Sequence, residues 1–198
     1  MQIIGVEGSE RYYAPVYHRG DTGPGGGIII YKAATTQSWG TYVEMALPGW
    51  HSGGDPTVTW ANSSYFSTAT GATATYTYGG AYINTSLMLA QDASNPAAAP
   101  CRAFIGGGFT DWSLGSYADW LPLNVNFDSW FPSDSPPGEP ALTSTHITAL
   151  ALSNSSYWGS EEVSSTDAML IPVSAGRANG SGSTAKNSSS YIRPVRYF

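Results

Sequence analysis

The chain has 198 residues, a formal net charge of −6 at pH 7 and only 11% charged residues, less than half of the roughly 25% that is usual in globular proteins. Its length suits one domain that buries roughly 70% of its unfolded surface without a metal or disulfide. The 8 lysines and arginines form no basic stripe, which excludes nucleic-acid binding through phosphates.

Signals for export, membrane insertion and cross-linking are not apparent. Residues 1–20 lack the apolar core of a signal peptide, and no run approaches the roughly 18 apolar residues of a membrane span, so we expect no membrane insertion. Cys101 is the single cysteine, and we expect a small buried thiol instead of a disulfide or zinc ligand. A low-charge surface without signal or disulfide favours a virion localisation, in a particle released by lysis.

The first part of the chain predicts an arm followed by a buried strand. Residues 1–19 are expected to form an N-terminal arm or docking segment, and residues 20–198 the domain itself. The glycine-rich stretch 20–27 predicts a multi-turn, and the β-branched run 28–31 predicts a buried strand. Because the glycines precede the strand, they do not match a phosphate-binding loop, which follows one.

The next segment predicts one strand and a set of surface loops. Residues 42–47 alternate in part, which predicts a second strand with Trp39 and Trp50 as flanking core aromatics. Small and polar residues dominate 51–80, which predicts long surface loops. A hairpin strand at 73–78 is the alternative for part of that segment.

A first helix is predicted over 85–93. Asn84 is the candidate N-cap, because its side-chain oxygen can accept hydrogen bonds from free N–H groups of the first turn. The apolar face of this helix is expected to comprise Leu87, Leu89 and Ala90.

A second helix is predicted over 116–123. Ser116 is its candidate cap, Trp120 is expected to turn inward, and Pro122 is expected to close the helix. The proline-rich residues 124–140 predict an extended, ordered loop.

Five short sequence motifs, or phrases, then occur in order along the chain. They are GPGGGIIIY at 23–31, WGTYVEMALP at 39–48, CRAFIGGGFTDWSL at 101–114, YWGSEEVSSTDA at 157–168 and IRPVRYF at 192–198. In this order they resemble the C-type-lectin-like domains of bacterial and phage surface proteins, of the type found at the C-terminus of the Lcl collagen-like adhesin and related to phage receptor-binding variable proteins.

The resemblance implies an α+β, C-type-lectin-like fold with small antiparallel sheets, two short helices and long loops. In such folds the strands at the two termini are neighbours, and the middle loops form a binding face away from them. The chain departs from the family pattern at Gly115, Asp119, Gly159 and Met169, and residues 124–140 resemble an insertion.

The resemblance also implies which motif residues determine the fold: Asp111, Trp112, Tyr157, Trp158, Glu162, Arg193 and Arg196. Glu162 is expected to be buried and bonded to the backbone, and a Glu161–Glu162 pair for general acid–base chemistry is the alternative. The two arginines either pair with carboxylates such as Glu162 or Asp111, or they grip an anionic ligand.

Tyrosine and tryptophan among small polar residues are typical of recognition surfaces, because the rings provide contact area at low entropic cost. We expect recognition by the polar stretch between the last two motifs, together with the loops of 51–80 and 124–140. Candidate ligand contacts are Tyr65, Phe66, Tyr76, Tyr78, Trp130, Phe131, Arg177, Asn179 and Asn187. The alternative is that many of these side chains only pack the loops.

No pattern in the chain indicates catalysis or a metal. The 3 histidines lie far apart, and no Ser-His, Cys-His or zinc-protease signature is present, so we expect no enzyme. Formylglycine-generating enzymes share the fold class, but they depend on paired cysteines. The calcium-binding motifs of vertebrate lectins do not occur, and the acidic residues of the 124–140 loop are too dispersed to supply about six oxygen ligands. We expect no metal and no cofactor.

These observations predict a bacteriophage virion surface protein, at a tail tip or fibre or as a decoration, that binds a glycan or protein on the host surface. The expected partners are other virion proteins and further copies of the chain in a homo-oligomer. A purely structural capsid or tail decoration protein is the first alternative, and a bacterial surface adhesin module is the second.

Overall fold

The computed structural model describes residues 15–73, 77–131 and 136–198, and it is α+β. The strands are β1 (Ile28–Gln37), β2 (Gly40–Met45), β3 (Thr57–Thr59), β4 (Ser113–Leu114), β5 (Ser156–Glu162), β6 (Asp167–Ser174), β7 (Arg177–Ala178), β8 (Gly182–Ala185), β9 (Ser189–Tyr191) and β10 (Pro194–Tyr197). The helices are α1 (Gly80–Gln91), α2 (Ala98–Ala103), α3 (Tyr117–Trp120), α4 (Phe127–Trp130) and α5 (Ser144–Leu150), with 3-10 turns at Ser63–Tyr65 and Leu121–Leu123.

The first sheet has the order β1-β2-β10-β4, and all its pairs are antiparallel. Met45 lies opposite Ile28 on one side and opposite Val195 on the other. Among the described residues the first and last strands are not neighbours as expected, because the hairpin partner β2 separates β1 from β10. The predicted strands at 28–31 and 42–47 are confirmed as β1 and β2, with shifted ends.

The second sheet has the order β3-β9-β5-β6-β7, and β8 also pairs with β6. Tyr157 of β5 lies opposite Tyr191 of β9 in a parallel pair. The expectation of purely antiparallel sheets is therefore wrong at this position. Parallel pairing is possible here because a long connection separates the two strands in sequence.

Buried side chains form two clusters. The first contains Trp120, Tyr157 and Ile171, and the second contains Trp60 and Cys101. Cys101 is a free, fully buried thiol as expected.

The prediction that 51–80 forms only surface loops is wrong, because Trp60 and Ala72 are 0% exposed. Trp60 Nε1 donates to the carbonyl oxygen of Gly159 at 2.9 Å. In the alternative strand at 73–78, residues 74–76 lie outside the described residues, and the described ones carry no strand.

Helix α1 begins at Gly80, five residues before the start at residue 85 that Asn84 as N-cap predicts. Gly79 is its N-cap, with φ 86° in the left-handed region, and Ala81 N donates to the Tyr197 hydroxyl at 3.3 Å. Asn84 is a fully buried residue of the helix interior instead of a cap. The helix start depends on a contact with the other end of the chain, which local sequence does not reveal.

The predicted apolar face of α1 is also wrong. Leu87 is 38% exposed and Ala90 is exposed, whereas Leu89 is half-buried. The helix instead buries Gly80, Ala81, Asn84, Thr85 and Met88.

The second predicted helix is confirmed as α3 followed by a 3-10 turn. Asp119 Oδ2 accepts hydrogen bonds from the backbone N–H and the hydroxyl of Ser116, at 2.8 and 2.7 Å. Trp120 is buried, and Pro122 lies inside the 3-10 turn.

The expectations of two helices and of an extended loop at 124–140 are both wrong, because α2, α4 and α5 are additional and α4 lies in that loop. These three helices have only four to seven residues. The hydrophobic periodicity of a helix becomes visible in a sequence only over about 11 or more residues, so such short helices give no signal.

Residues 1–14 of the expected arm lie outside the described residues. The described part packs on the domain: the Tyr17 ring lies edge-on to Tyr42 and Phe198, at 5.4 and 5.7 Å. Arg19 is 3% exposed and its guanidinium lies 2.8 Å from the Asp128 carboxylate. In the part of the chain that the structure describes, no helix has both the length and the apolar character needed to cross a bilayer.

Candidate functional site

A surface cleft of about 780 Å³ lies beside the β1–β2 turn, the N-terminus of α1 and the end of β10. Side chains that line it include Gln37, Trp39, Tyr78, Tyr82, Asp111 and Tyr197. Its volume lies in the range of about 300–1,000 Å³ that is usual for small-molecule sites. We therefore take it as the candidate functional site.

The β1–β2 turn positions Trp39 in the cleft wall. Gln37 and Gly40 pair across this turn, and the Trp39 indole lies against the backbone of Gly79. A Cβ added to Gly79 would lie 2.8 Å from Trp39 Cβ and Cδ1. The absence of a side chain at Gly79, which also has φ +86°, therefore permits both the helix start and the indole position.

Tyr78 continues the aromatic wall. Its ring stacks on Tyr31 with centroids 3.8 Å apart and an interplanar angle of 10°. The Trp39 ring lies 5.9 Å from that of Tyr78 and 5.6 Å from that of Tyr197. Both Trp39 distances lie in the range of about 4.5–7 Å that is usual between aromatic ring centroids, and the Tyr78–Tyr31 stack is closer. The rings therefore form one packed group.

Tyr82 lies on the first turn of α1 and is 46% exposed. The Arg102 guanidinium lies over its ring, 4.4 Å from the centroid. Arg102 is itself held by the Trp112 carbonyl oxygen, which accepts from Nε at 2.9 Å. Arg102 thereby fixes the position of the exposed Tyr82 ring at the rim of the cleft.

Asp111 brings a carboxylate to the cleft. Its side chain is 45% exposed, and its Oδ1 accepts from Arg196 Nε at 2.6 Å. The Arg196 guanidinium lies between the rings of Phe109 and Phe198, with centroids 3.7 and 4.8 Å away. Arg196 Nη1 also lies 3.6 Å from Glu44 Oε2, so Asp111 shares this rigidly held cation with a second carboxylate.

Tyr197 forms the floor and connects the cleft to buried carboxyl groups. Its hydroxyl donates to Asp119, which is 0% exposed. Burial raises the pKa of Asp119 to about 6, against hydrogen bonds from Ser116 that lower it. Burial also raises the pKa of Glu161 to about 8, and the nearby Asp119 adds to that rise.

The structure separates the Glu161–Glu162 pair that was the alternative for acid–base chemistry. Glu161 Oε1 accepts from Tyr117 N at 2.7 Å. Glu162 accepts from Thr70 N at 3.0 Å on the other side of β5 and is paired with Lys186. The two carboxyls lie in different environments, and neither lines the cleft.

The motif arginines make separate ion pairs. Arg196 contacts Asp111, and Arg193 Nη2 lies 2.6 Å from Asp55 Oδ2. The expected pairing of the arginines with carboxylates is therefore confirmed, with Asp111 as the partner of Arg196 and Asp55, which was not named, as the partner of Arg193. Asp55 also accepts from the Tyr157 hydroxyl at 2.6 Å and from Trp50 Nε1 at 2.7 Å.

Two other motif residues are buried tryptophans. Trp112 and Trp158 are both 0% exposed. Trp158 Nε1 donates to the Val58 carbonyl oxygen at 2.9 Å.

Sequence reasoning missed Lys186 and Asp55, which hold these buried networks. Lys186 is 0% exposed and donates to the carbonyl oxygens of Thr68 and Ser165, at 3.0 and 2.8 Å. Its isolation in a stretch otherwise nearly free of charge was the one signal that could have revealed it.

Of the candidate ligand contacts that the structure describes, only Tyr78 lines the cleft. Tyr65 and Phe66 are partly buried and pack against the second core cluster. Tyr76 lies outside the described residues, and Asn187 is exposed beyond β8. Tyr65, Phe66 and Asn187 therefore do not share a surface with Tyr78 in the cleft.

Trp130, Phe131, Arg177 and Asn179 belong to a second region, around α4 and β7. The two aromatic side chains line a small pocket of about 50 Å³. Arg177 Nη1 donates to the Leu123 carbonyl oxygen at 3.4 Å, and Asn179 Nδ2 donates to the Arg177 carbonyl oxygen at 3.2 Å. Trp130 is 60% exposed.

The remaining cleft residues were missed for different reasons. Trp39 was expected in the core, and it is half-buried at the edge of the first cluster. Gln37 and Tyr82 carry no sequence signal, and Asp111 was assigned only a structural role. Their meeting depends on the pairing of β10 with β2 and on the start of α1.

The described residues contain no group of three or more His, Cys, Asp or Glu side chains arranged to hold a metal ion. Comparison of the chain with protein-family models and with curated proteins gives no match. The functional assignment therefore depends on the geometry of the cleft and on the motifs.

Proposed function

We propose that this protein is a bacteriophage virion surface protein that displays a C-type-lectin-like domain and binds a glycan or protein of the host surface in the cleft. The observation that carries the proposal is the cleft of about 780 Å³ with half-exposed aromatic rings. Rings of this kind provide a large contact area at small entropic cost.

The arrangement of the motifs supports the choice of fold. The strands β1, β2, β10 and β4 come from four of the phrases that resemble the family, and they form one sheet in that order. The remaining phrase forms β5 and the turn into β6 of the second sheet. Four of the five segments that resemble the family in sequence thus pair with one another in one sheet.

Binding of the purified full chain to cells of the strain on which the particle grows tests the proposal. We expect saturable binding that Tyr82→Ala reduces at least about tenfold. Trp130→Ala is the matched control, since Trp130 is an exposed aromatic that does not line the cleft. Particles that lack the protein are expected to adsorb poorly.

The outcome that contradicts this proposal is normal adsorption by such particles, together with no cell binding by the purified chain. An intact, correctly folded Tyr82→Ala variant that binds cells as well as the original chain would contradict the role of the cleft.

A purely structural decoration role is the second candidate, and exposed apolar side chains favour it. Val125 is 71% exposed and Trp130 is 60% exposed, on either side of the start of α4. Cross-linking in intact particles would favour this role if it joins this region to a shell protein while adsorption does not require the cleft.

A further inference from the structure

Asp119, which lies behind the floor of the cleft, has a second buried carboxyl, that of Glu161, as its neighbour. We propose that the two form a proton-operated latch: while the pair holds at least one proton, Tyr197 closes the floor and fixes the start of α1, and loss of the last proton releases both. The consequence for host binding rests on the proposed function, whereas the latch itself does not.

The carboxyl pair is buried without a cation. Asp119 and Glu161 are both 0% exposed, and among the described residues no lysine, arginine or histidine forms a hydrogen bond or an ion pair with either carboxyl. Two like charges in such surroundings are strongly disfavoured. Burial accordingly raises the pKa of both groups, and the nearby Asp119 adds to the rise for Glu161, whose pKa reaches about 8.

The hydrogen bonds assign the last proton to Glu161. Asp119 accepts from the backbone N–H and the hydroxyl of Ser116 and from the hydroxyl of Tyr197, and such donors stabilise an ionised carboxylate. Glu161 Oε1 accepts from Tyr117 N at 2.7 Å, but its Oε2 has no hydrogen-bond partner in the described part of the chain.

Uncharged groups surround this Oε2 atom. A Cβ built at Gly159 would lie 2.6 Å from Glu161 Oε2 and 2.9 Å from Met169 Cβ, so β5 and β6 present backbone and an apolar side chain here. Helix α1 carries no charged residue. From β10 the pair is faced by the hydroxyl of Tyr197, which stays protonated because burial raises its pKa. The elements that the structure describes around the pair therefore supply no charge that could replace the proton.

Tyr197 connects the pair to the cleft. Its side chain lines the cleft, and its hydroxyl donates to Asp119 and accepts from Ala81 N at 3.3 Å. Ala81 N belongs to the first turn of α1, where N–H groups have no partner inside the helix, so this hydroxyl holds the turn in place. Water that enters beside Tyr197 can hydrate both carboxylates, but it breaks this contact. Because two buried charges cost more than one exposed hydrogen bond, the open floor becomes the favoured state once the last proton has left.

Solvent-exchange NMR on the purified full chain tests the latch without any ligand, because opening exposes the Ala81 amide. At pH 6 we expect the protection factor of Ala81 to lie within about tenfold of that of Met45, a fully buried residue of β2. At pH 9 the protection factor of Ala81 should be at least about a hundredfold lower than that of Met45, because the opening is local.

Variants separate the latch from a general effect of charge. Glu161→Gln should keep Ala81 protected at pH 9, because only one group of the pair can then ionise. Asp92→Asn is the matched control: it removes a carboxylate at the C-cap of the same helix and should leave the opening at pH 9 unchanged. Tyr197→Phe should lose the protection of Ala81 already at pH 6, while Met45 stays protected and shows that the variant is folded.

Three results would overturn the inference: equal protection of Ala81 and Met45 at pH 9, an equal loss of protection at both amides, or an unchanged opening in Glu161→Gln. In the cell-binding assay the original chain should bind at least about tenfold more weakly at pH 9 than at pH 6, and Glu161→Gln should not. Opening without a change in cell binding overturns the control of binding by the latch. Absence of cell binding at every pH counts against the proposed function alone, since the exchange measurement uses no cells.

Discussion

Tyr197 donates a hydrogen bond to Asp119, with its hydroxyl oxygen 3.0 and 2.8 Å from the two carboxyl oxygens. The same hydroxyl accepts from Ala81 N at the start of α1. One side chain of the last strand thereby joins the cleft floor, the first turn of α1 and the buried carboxyl of α3.

Tyr197→Phe removes this connection while it keeps the ring. We expect a loss of about 1–3 kcal/mol in the free energy of unfolding, because a buried carboxyl and a buried N–H lose a partner. Urea denaturation measures the change. Tyr65→Phe is the control, since the Tyr65 hydroxyl makes no hydrogen bond with the described residues, and an equal loss in both variants would contradict the assignment.

Stability should depend on pH through two buried carboxyls. The pKa of Asp119 is raised to about 6 and that of Glu161 to about 8, mainly by burial. Their contribution is complete below the ordinary pKa values of 3.8 and 4.5 and is lost as the pH rises through the raised values. The free energy of unfolding should fall between about pH 4 and 8, by up to about 1.4 kcal/mol per pH unit for each proton.

Glu161→Gln should flatten this dependence and should stabilise the protein at the alkaline end, because a neutral amide needs no proton to stay buried. Asp92→Asn is the matched control: the pKa of Asp92 is lowered by Ser94 and Asn62, so the carboxylate stays ionised throughout this pH range. Urea titrations across the range are the measurement, and an unchanged slope in Glu161→Gln would contradict the prediction.

The buried pair of Lys186 and Glu162 should be essential to stability. Both residues are less than a tenth exposed, and Lys186→Met would leave a buried carboxylate without its cation. We expect a loss of about 3–5 kcal/mol, measured by urea denaturation. Lys186→Met combined with Glu162→Gln should recover part of it, because both charges are then absent.

Lys32→Met is a suitable comparison for that variant. Lys32 also lies near a carboxylate, that of Glu139 at 3.1 Å, but its side chain is 17% exposed. The Glu139 carboxylate left behind still accepts from Arg19 N at 2.6 Å and lies 3.1 Å from His18 Nδ1, so the loss should be smaller. Additive losses in the Lys186–Glu162 double-mutant cycle would argue against a coupled pair.

Gly79→Ala should disturb the cleft as well as the backbone. Gly79 and Gly53 both have φ near +90°, but only the added Cβ at Gly79 meets a neighbour, Trp39 at 2.8 Å. Gly53→Ala should cost about 1–2 kcal/mol from backbone strain alone. Gly79→Ala should cost more and should shift the tryptophan fluorescence, and equal effects of both variants would contradict a contact with Trp39.

Ligand binding should not require calcium. The described cleft lining provides one carboxylate, far from the 6–8 oxygen ligands that Ca²⁺ takes. We expect equal affinity in excess calcium and in excess EDTA by calorimetry. A loss of binding in EDTA that added calcium restores would contradict this prediction.

Local sequence patterns were sufficient for several elements. The β-branched run at 28–31 and the alternation at 42–47 indicated β1 and β2, because side-chain burial alternates with strand geometry. Ser116 has the chemistry of an N-cap, and it indicated the start of α3. The lone Cys101 is buried, as its count and small size suggested.

Local patterns failed where a distant contact overrides them. Asn84 has the chemistry of a cap, yet α1 begins at Gly80 because Tyr197 and Trp39 bind its first turn from other elements. Trp60 lies in a polar segment, yet it enters the core through a hydrogen bond to Gly159.

The sequence by itself determined the composition of the protein, the class of its fold, the positions of its main strands and the aromatic, low-charge character of its surface. Tertiary structure alone decided which of those aromatic side chains form one cleft. Gln37, Tyr82, Asp111 and Tyr197 are far apart along the chain, and they meet because β10 pairs with β2 and α1 begins against Tyr197. Such long-range pairing depends on the packing energy of the whole chain, which no local window contains.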